Sequence, residues 1–141
     1  MREIGDVTVG DLMSKPVVTV TPETSIQALT ELMAAHTYNA FPVVNDTGVL
    51  QGLVSRLDLF KLYLLPYHGF IPVLEDTWVS SVGAIMSRAV IALYPVEPAI
   101  KAMALMVDYR IRTIPIVTDT VAGKVVLGVV TRRDLATVLK P

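Results

Sequence analysis

A chain of 141 residues suggests one compact domain or two very small ones. About half of it is apolar (52%) and 18% is charged, enough for a real core and too little polarity for disorder. The absence of cysteine excludes disulfide staples, thiolate metal sites and cysteine nucleophiles, and it fits a reducing cytoplasm, the expected location. The net charge of −1 hides an asymmetry: residues 1–81 carry 4 basic side chains against 9 acidic ones, and residues 82–141 carry 8 against 4. The second half could therefore attract an anion, or its arginines could simply be a solvated surface.

The start of the chain has no apolar leader run, and the most apolar stretch, 62–74, is short and broken by Pro66 and Pro72. A soluble protein without membrane insertion is expected. In chain order, Thr8 is the expected N-cap of a short helical turn, with Asp11 completing a capping box. The β-branched run Val17, Val18, Thr19, Val20 reads as a strand. A proline turn then leads into an amphipathic helix, with a second capping box from Thr24 and Gln27 and with Ile26, Leu29, Leu32 and Met33 on one face. Strands at 40–44 and 52–55 flank a turn at Asn45 to Gly48, and a final helix starts near Arg56.

The whole pattern then returns. Val9-Gly10-Asp11-Leu12-Met13-Ser14 reappears 73 residues on as Val82-Gly83-Ala84-Ile85-Met86-Ser87, and Ala40-Phe41-Pro42-Val43-Val44 reappears at the same offset as Thr113-Ile114-Pro115-Ile116-Val117. Gly52-Leu53-Val54-Ser55-Arg56-Leu57-Asp58-Leu59 returns as Gly128-Val129-Val130-Thr131-Arg132-Arg133-Asp134-Leu135 at an offset of 76, the three extra residues falling in the turn 118–124. Ser81 is the matching N-cap, 90–93 the matching strand, and Pro98 suits the first position of a helix whose face is Ile100, Met103, Met106 and Val107. The organisation is a first unit at 8–65, an apolar link at 66–80 and a second unit at 81–141, of class α+β, each unit running strand, helix, strand, strand, helix. Each half alone would bury little surface, so two halves packed sheet against sheet would share one core.

The string G-x-x-[ST]-x-x-D, once per copy, is the strongest site candidate. Its glycine weakens a strand unless something approaches the backbone closely. Its hydroxyl can N-cap the next helix, with the aspartate at the third helical position. Ser55 with Asp58, and Thr131 with Asp134, are thus complete as capping boxes. They would equally suit a phosphate at the helix start and two ribose hydroxyls on the carboxylate. The hydrophobic-Pro steps Phe41-Pro42 and Ile114-Pro115 are either strand-entry kinks or open edges able to meet a flat heterocycle.

Other constellations are weak. His36 and His68 lack metal-ligand spacing, and Met13, Met33, Met86, Met103 and Met106 read as packing. Neither phosphate-binding glycine string is present. No Ser, His and Asp set suits acyl transfer, and the arginines form no basic run with interleaved aromatics, so catalysis and nucleic-acid binding are not expected.

On these residues the chain resembles a tandem pair of cystathionine-β-synthase (CBS) domains, a Bateman module, over about 8–65 and 81–141. The resemblance rests on Met13-Ser14 and Met86-Ser87, the two hydrophobic-Pro steps and the two G-x-x-[ST]-x-x-D strings. It implies β-α-β-β-α units packed through their sheets as a pseudo-twofold pair, disc-like homodimers, and adenosyl ligands (AMP, ADP, ATP or S-adenosylmethionine) in two clefts, with no other cofactor and no metal. Carried over, one site uses Asn39, Ala40, Phe41, Pro42, Ser55 and Asp58, lined by Lys15, Pro16 and Val17. The other uses Arg112, Thr113, Ile114, Pro115, Thr131, Arg132 and Asp134, lined by Arg88, Ala89 and Val90. The first copy has Ser55 where the family commonly has threonine, and the apolar link at 62–78 could cover an edge or occupy part of a cleft. The implied function is a stand-alone, non-enzymatic module that senses adenosyl compounds and modulates a separate protein, with the phosphate-bearing ligand in the basic second copy. The alternative is a structural or dimerisation module whose motifs serve only as helix caps.

Overall fold

A computed structural model describes residues 4–15, 17–64 and 81–139. Pro16, His68 and the 66–80 link lie outside the described residues. The described chain contains α1 (Val9–Leu12), α2 (Ile26–Ala35), β1 (Ala40–Val44), β2 (Leu50–Ser55), α3 (Arg56–Leu64), α4 (Ala99–Tyr109), β3 (Thr113–Thr120), β4 (Gly123–Thr131) and α5 (Arg132–Ala136), with single 3-10 turns at Ile4–Asp6 and Val82–Ala84. The class is α+β, with two separate two-stranded antiparallel sheets, β1-β2 and β3-β4. No helix among the described residues is long and apolar enough to cross a membrane.

The compact units do not coincide with the sequence copies. One is Val18–Val90; the other joins Met1–Val17 to Ile91–Pro141. The opening segment of each copy therefore belongs to the body of the other.

In the 18–90 unit, Val20, Leu29, Met33, Phe41, Val43, Val54, Leu59, Val82 and Met86 form the core. The expected face of α2 is found, with Leu29 and Met33 buried and Ile26 and Leu32 packed against them. Its cap differs from expectation. Ser25 is the N-cap, accepting from the Ala28 N–H at 3.0 Å. Thr24 instead closes the preceding turn, its Oγ1 accepting from the Thr21 N–H at 3.0 Å. A local hydroxyl-to-backbone bond has outcompeted the Thr24–Gln27 box. Strand register pairs Phe41 with Val54 and Val43 with Gly52, with a bulge between Val43 and Val44. The turn is held by Asn45 Oδ1, which accepts from the N–H groups of Thr47 and Val49 at 3.0 Å each, and Gly48 supplies the positive φ of 80°.

The other unit is built on Val7, Val9, Leu93, Ala99, Ala102, Met106, Ile114, Ile116, Val130 and Leu135. The Thr8–Asp11 capping box forms as expected. Pro98 sits at the N-cap of α4 rather than inside its first turn. It is held extended there by a bridge to Thr8, while the next N–H, of Ala99, donates to the Val7 carbonyl at 2.8 Å. That docking also rotates the buried stripe of α4. Ala99, Ala102 and Met106 are buried, whereas Ile100 and Val107, expected on the inner face, are 50% and 76% exposed.

The three extra residues of the second copy lengthen the hairpin instead of its turn. Strand pairing runs from Thr113↔Thr131 to Thr120↔Gly123. Tyr94 braces this extension: its hydroxyl donates to Asp119 Oδ1 at 2.9 Å, and Lys124 Nζ reaches both the Tyr94 hydroxyl and, at 3.2 Å, the same carboxylate. The Tyr94 hydroxyl first, and Lys124 second, hold the Asp119 carboxyl below its usual value. The group is fully exposed, so the brace sets local order more than stability.

The first strand expected in each copy is reduced to one parallel bridge, Val20↔Val43 and Leu93↔Ile116. Val20 N–H donates to Pro42 O at 3.0 Å and Leu93 N–H to Pro115 O at 3.1 Å. Prolines close behind, Pro22 and Pro95, have no N–H to continue a ladder.

On the far edge of each hairpin lies the exchanged Met-Ser segment. Ser87 and Leu53 trade both backbone hydrogen bonds at 2.9 Å, and Ser14 N–H donates to Val129 O at 2.8 Å. A Cβ on Gly52 would lie 2.5 Å from Ser87 O and 3.1 Å from Met86 Sδ; on Gly128 it would lie 2.7 Å from Ser14 O and 3.0 Å from Met13 Sδ. The motif glycine is therefore accounted for by main-chain approach alone. Gly52→Ala and Gly128→Ala should each destabilise the fold by about 1–3 kcal/mol, the range for overpacking. Gly5→Ala, where a Cβ would meet nothing within 4 Å, should stay within about 0.5 kcal/mol. Urea unfolding of the three variants checks the contrast.

Candidate functional site

The hydroxyl and the carboxylate of the repeated string meet because one ends a strand and the other sits in the first turn of the following helix. In the 18–90 unit, Asp58 Oδ2 accepts from the Ser55 N–H at 2.9 Å and from the Ser55 hydroxyl at 3.0 Å, while the Asp58 N–H donates back to Ser55 Oγ at 3.2 Å. In the other unit, Asp134 Oδ2 accepts from the Thr131 N–H at 2.8 Å and its hydroxyl at 3.0 Å, and the Asp134 N–H donates to Thr131 Oγ1 at 3.4 Å. Both capping boxes are complete. Both also use a single carboxylate oxygen. Asp134 Oδ1 makes no hydrogen bond or ion pair among the described residues, and the neighbour of Asp58 Oδ1 is exposed Lys61 at 3.9 Å. A carboxylate has about four acceptor sites, so capping leaves capacity for two hydroxyl donors.

Antiparallel pairing brings the hydrophobic-Pro step beside this pair. Ala40 faces Ser55 and Phe41 faces Val54; Thr113 faces Thr131 and Ile114 faces Val130. Phe41, Pro42, Ile114 and Pro115 are fully buried, so their side chains pack. Pro42 and Pro115 carbonyls are taken by the Val20 and Leu93 bridges. Ala40, Phe41, Thr113 and Ile114, just before those bridges, make no backbone hydrogen bond outside their own hairpin among the described residues. By the alternation of an antiparallel ladder, Ala40 and Thr113 turn their main-chain groups to the same outer edge as Pro42 and Pro115, next to each hydroxyl–carboxylate pair, where a flat heterocycle could meet them.

The exchange of segments regroups the lining residues. Ser14 bridges β4, and Lys15 follows it in the unit of Thr131 and Asp134. Ser87 bridges β2, and Arg88 and Ala89 follow it in the unit of Ser55 and Asp58. The sequence expectation had grouped them the other way, because it placed each opening segment with its own copy. Lys15, Arg88 and Ala89 are exposed, Val17 and Val90 half-buried.

One difference between the copies was missed by sequence reasoning. Arg56 and Arg132 occupy the same position after the hydroxyl residue. Arg56 is turned inward, Nη2 donating to the carbonyls of Met33 and His36 at 2.9 Å each and Nε to the Tyr38 carbonyl at 3.1 Å. It closes the C-terminal end of α2, where orphan carbonyls and the helix dipole favour a cation. In the second copy α4 leaves its last turn through Arg110 in a left-handed conformation (φ 55°, ψ 40°). The Arg132 side chain there is exposed and makes no hydrogen bond or ion pair among the described residues. Replacing Arg56 by Ala should cost about 1–3 kcal/mol, as loss of partly buried charged hydrogen bonds does, against about 0.5 kcal/mol or less for Arg132→Ala, measured by thermal unfolding.

The CBS domain family model matches residues 9–65 and 82–141. Among curated relatives, the chain is 33% identical over 122 residues to the CBS domain-containing protein YhcV of Bacillus subtilis, covering 85% of this chain and 80% of that one. It is 27% identical over 128 residues to the L-aspartate semialdehyde sulfurtransferase of Methanocaldococcus jannaschii, covering 91% of this chain and 22% of that enzyme. The chain spans about a fifth of the length of that enzyme and of the archaeal homoserine O-acetyltransferases it also matches. Among solved structures it superimposes on CBSX2 in complex with AMP with a TM-score of 0.78 at 26% identity, covering 93% of this chain and 94% of that one. It superimposes on the CBS domain pair of protein MJ0100, in complex with 5′-methylthioadenosine and S-adenosyl-L-methionine, with a TM-score of 0.76 at 27% identity and the same coverage. With both family segments matched and the repeated strand–hydroxyl–carboxylate geometry in place, the chain belongs to the CBS domain family as a tandem pair.

Proposed function

We propose that the chain is a regulatory module that binds adenosyl compounds, with AMP, ADP or ATP foremost and S-adenosylmethionine as the alternative, and that it modulates a protein rather than turning over a substrate. The observation that carries this reading is the free oxygen of Asp134, beside the outward-facing main chain of Thr113. The carboxylate takes the ribose hydroxyls, Thr131 contacts ribose or phosphate, and the strand edge takes the base. Ser55, Asp58, Asn39 and Ala40 repeat the arrangement in the other unit. The AMP complex of one structural relative and the adenosyl complexes of another support the ligand class. Isothermal calorimetry with AMP, ATP and S-adenosylmethionine tests it. A ligand at about 100 times its dissociation constant should stabilise the fold by roughly 2.7 kcal/mol. Asp134→Ala should abolish the strongest binding event while costing only about 1 kcal/mol as a lost cap. No heat and no thermal shift with millimolar ligand would sink the proposal.

A second reading is a structural module that associates through its helices, its motifs serving only as caps. The completeness of both capping boxes favours it. On either reading two copies of the chain pair through exposed apolar helix faces. Leu57, Phe60 and Leu64 share one side of α3 and are 64%, 54% and 46% exposed, more apolar surface than a lone helix usually presents to water. Phe60→Glu should shift sedimentation from dimer to monomer without loss of helical signal.

A further inference from the structure

We infer that the two units differ in the class of adenosyl ligand they take: the Thr131–Asp134 unit takes a phosphorylated one, and the Ser55–Asp58 unit one without phosphate. The inference rests on the ligand-binding reading above and goes beyond it.

Available guanidinium groups divide the two. Beside Thr131 and Asp134, the Arg132 N–H donates to the Arg112 carbonyl at 3.2 Å. This places Arg112 just before β3 and Arg132 just after β4, at the hairpin end where Thr113 pairs with Thr131. Both side chains are exposed and have no hydrogen-bond or ion-pair partner among the described residues. Arg110 and Arg133 flank them in sequence, and Lys15 follows the Ser14 bridge to Val129 in the same unit. Bidentate guanidinium groups suit phosphate oxygens in geometry and charge.

The matching positions in the 18–90 unit are Thr37, Asn39, Arg56 and Leu57. Arg56 alone is cationic there, and it is directed into the carbonyls of Met33, His36 and Tyr38. Arg88, after the Ser87 bridge, is the unit's other arginine, and Lys61 stands 3.9 Å from Asp58 itself. Residues 18–90 hold three basic side chains against six acidic ones; the other unit holds nine against seven. A phosphate dianion at the first hairpin end would find its one arginine engaged by carbonyls; at the second it would find Arg112 and Arg132, both exposed and unengaged. The hydroxyl–carboxylate pair is built alike in both units, so an uncharged nucleoside has the same kind of acceptor in the 18–90 unit.

The test is calorimetry of the full chain with adenosine and with AMP at physiological salt. Wild type should bind AMP tighter than adenosine by on the order of tenfold or more, as expected for charge-assisted hydrogen bonds. The Arg112→Gln/Arg132→Gln variant should bring the two dissociation constants toward a common value, and Arg56→Gln should leave their ratio in place. Both paired arginines are exposed and unpartnered, so the double variant should melt with wild type. Asp134→Ala should remove the AMP-selective event and leave adenosine binding that Asp58→Ala removes. If the preference for AMP survives in the double variant, or disappears with Asp58→Ala instead, the inference is overturned while the ligand-binding reading stands. If neither adenosine nor AMP binds wild type, that reading falls and the inference with it.

Discussion

A backbone carbonyl lies where a side chain would otherwise be, and much else follows from that. Ser87 O and Ser14 O press against Gly52 and Gly128 at distances that admit no Cβ. Each hairpin thereby gains a third extended segment on its β2 or β4 edge, supplied by the opening residues of the other copy. Each glycine's own strand bulges just before it, with Gln51 the extra residue in β2 and Leu127 in β4. Such a bulge bends and twists its strand. Three residues beyond the glycine the strand ends in Ser55 or Thr131. The helix start and its carboxylate are then held in register with the strand edge that carries the hydrophobic-Pro step.

The same exchange explains how units of this size build a core. Neither copy taken by itself contains the residues that close its centre. Val82 and Met86 complete the core around Phe41 and Leu29, and Val7 and Val9 complete that around Ile114 and Ile116. Glycines keep this docking close as well: a Cβ on Gly10 would lie 2.8 Å from Pro95 O, and one on Gly83 3.1 Å from Pro22 O. The repeat is therefore a mutual arrangement, and an isolated copy cut at its sequence boundaries would lack part of its interior.

Capping and ligand binding need not compete at the aspartates. The box uses the N–H and hydroxyl of the residue three before it, all on one carboxylate oxygen. A cap that orients the carboxylate while sparing its other oxygen is a preorganised acceptor. The two copies diverge in what surrounds that acceptor. The end of α2 needs Arg56 to satisfy its carbonyls, whereas α4 turns away through Arg110, so the equivalent Arg132 is released to solvent.

Much of this was legible in the residues. The duplication, the strand–helix order, the Thr8–Asp11, Ser55–Asp58 and Thr131–Asp134 boxes and the buried face of α2 follow from spacing, because caps and amphipathic stripes depend on residues three or four apart. What failed were features decided by distant partners. Thr24 was claimed by Thr21; Pro98 was held extended by the bridge to Thr8; and Ile100 and Val107 were left outside when Val7 and Val9 docked against the other side of α4. The sequence by itself determined the family, the repeated motif and the charge difference between the halves. Only the tertiary structure decided that Lys15 falls in the same compact unit as Asp134 and Arg88 in that of Asp58, that the glycines serve main-chain packing, and that one of two identical arginines is already engaged. Each of these depends on which backbone groups, dozens of residues apart, come within hydrogen-bonding reach, and local spacing carries no record of that.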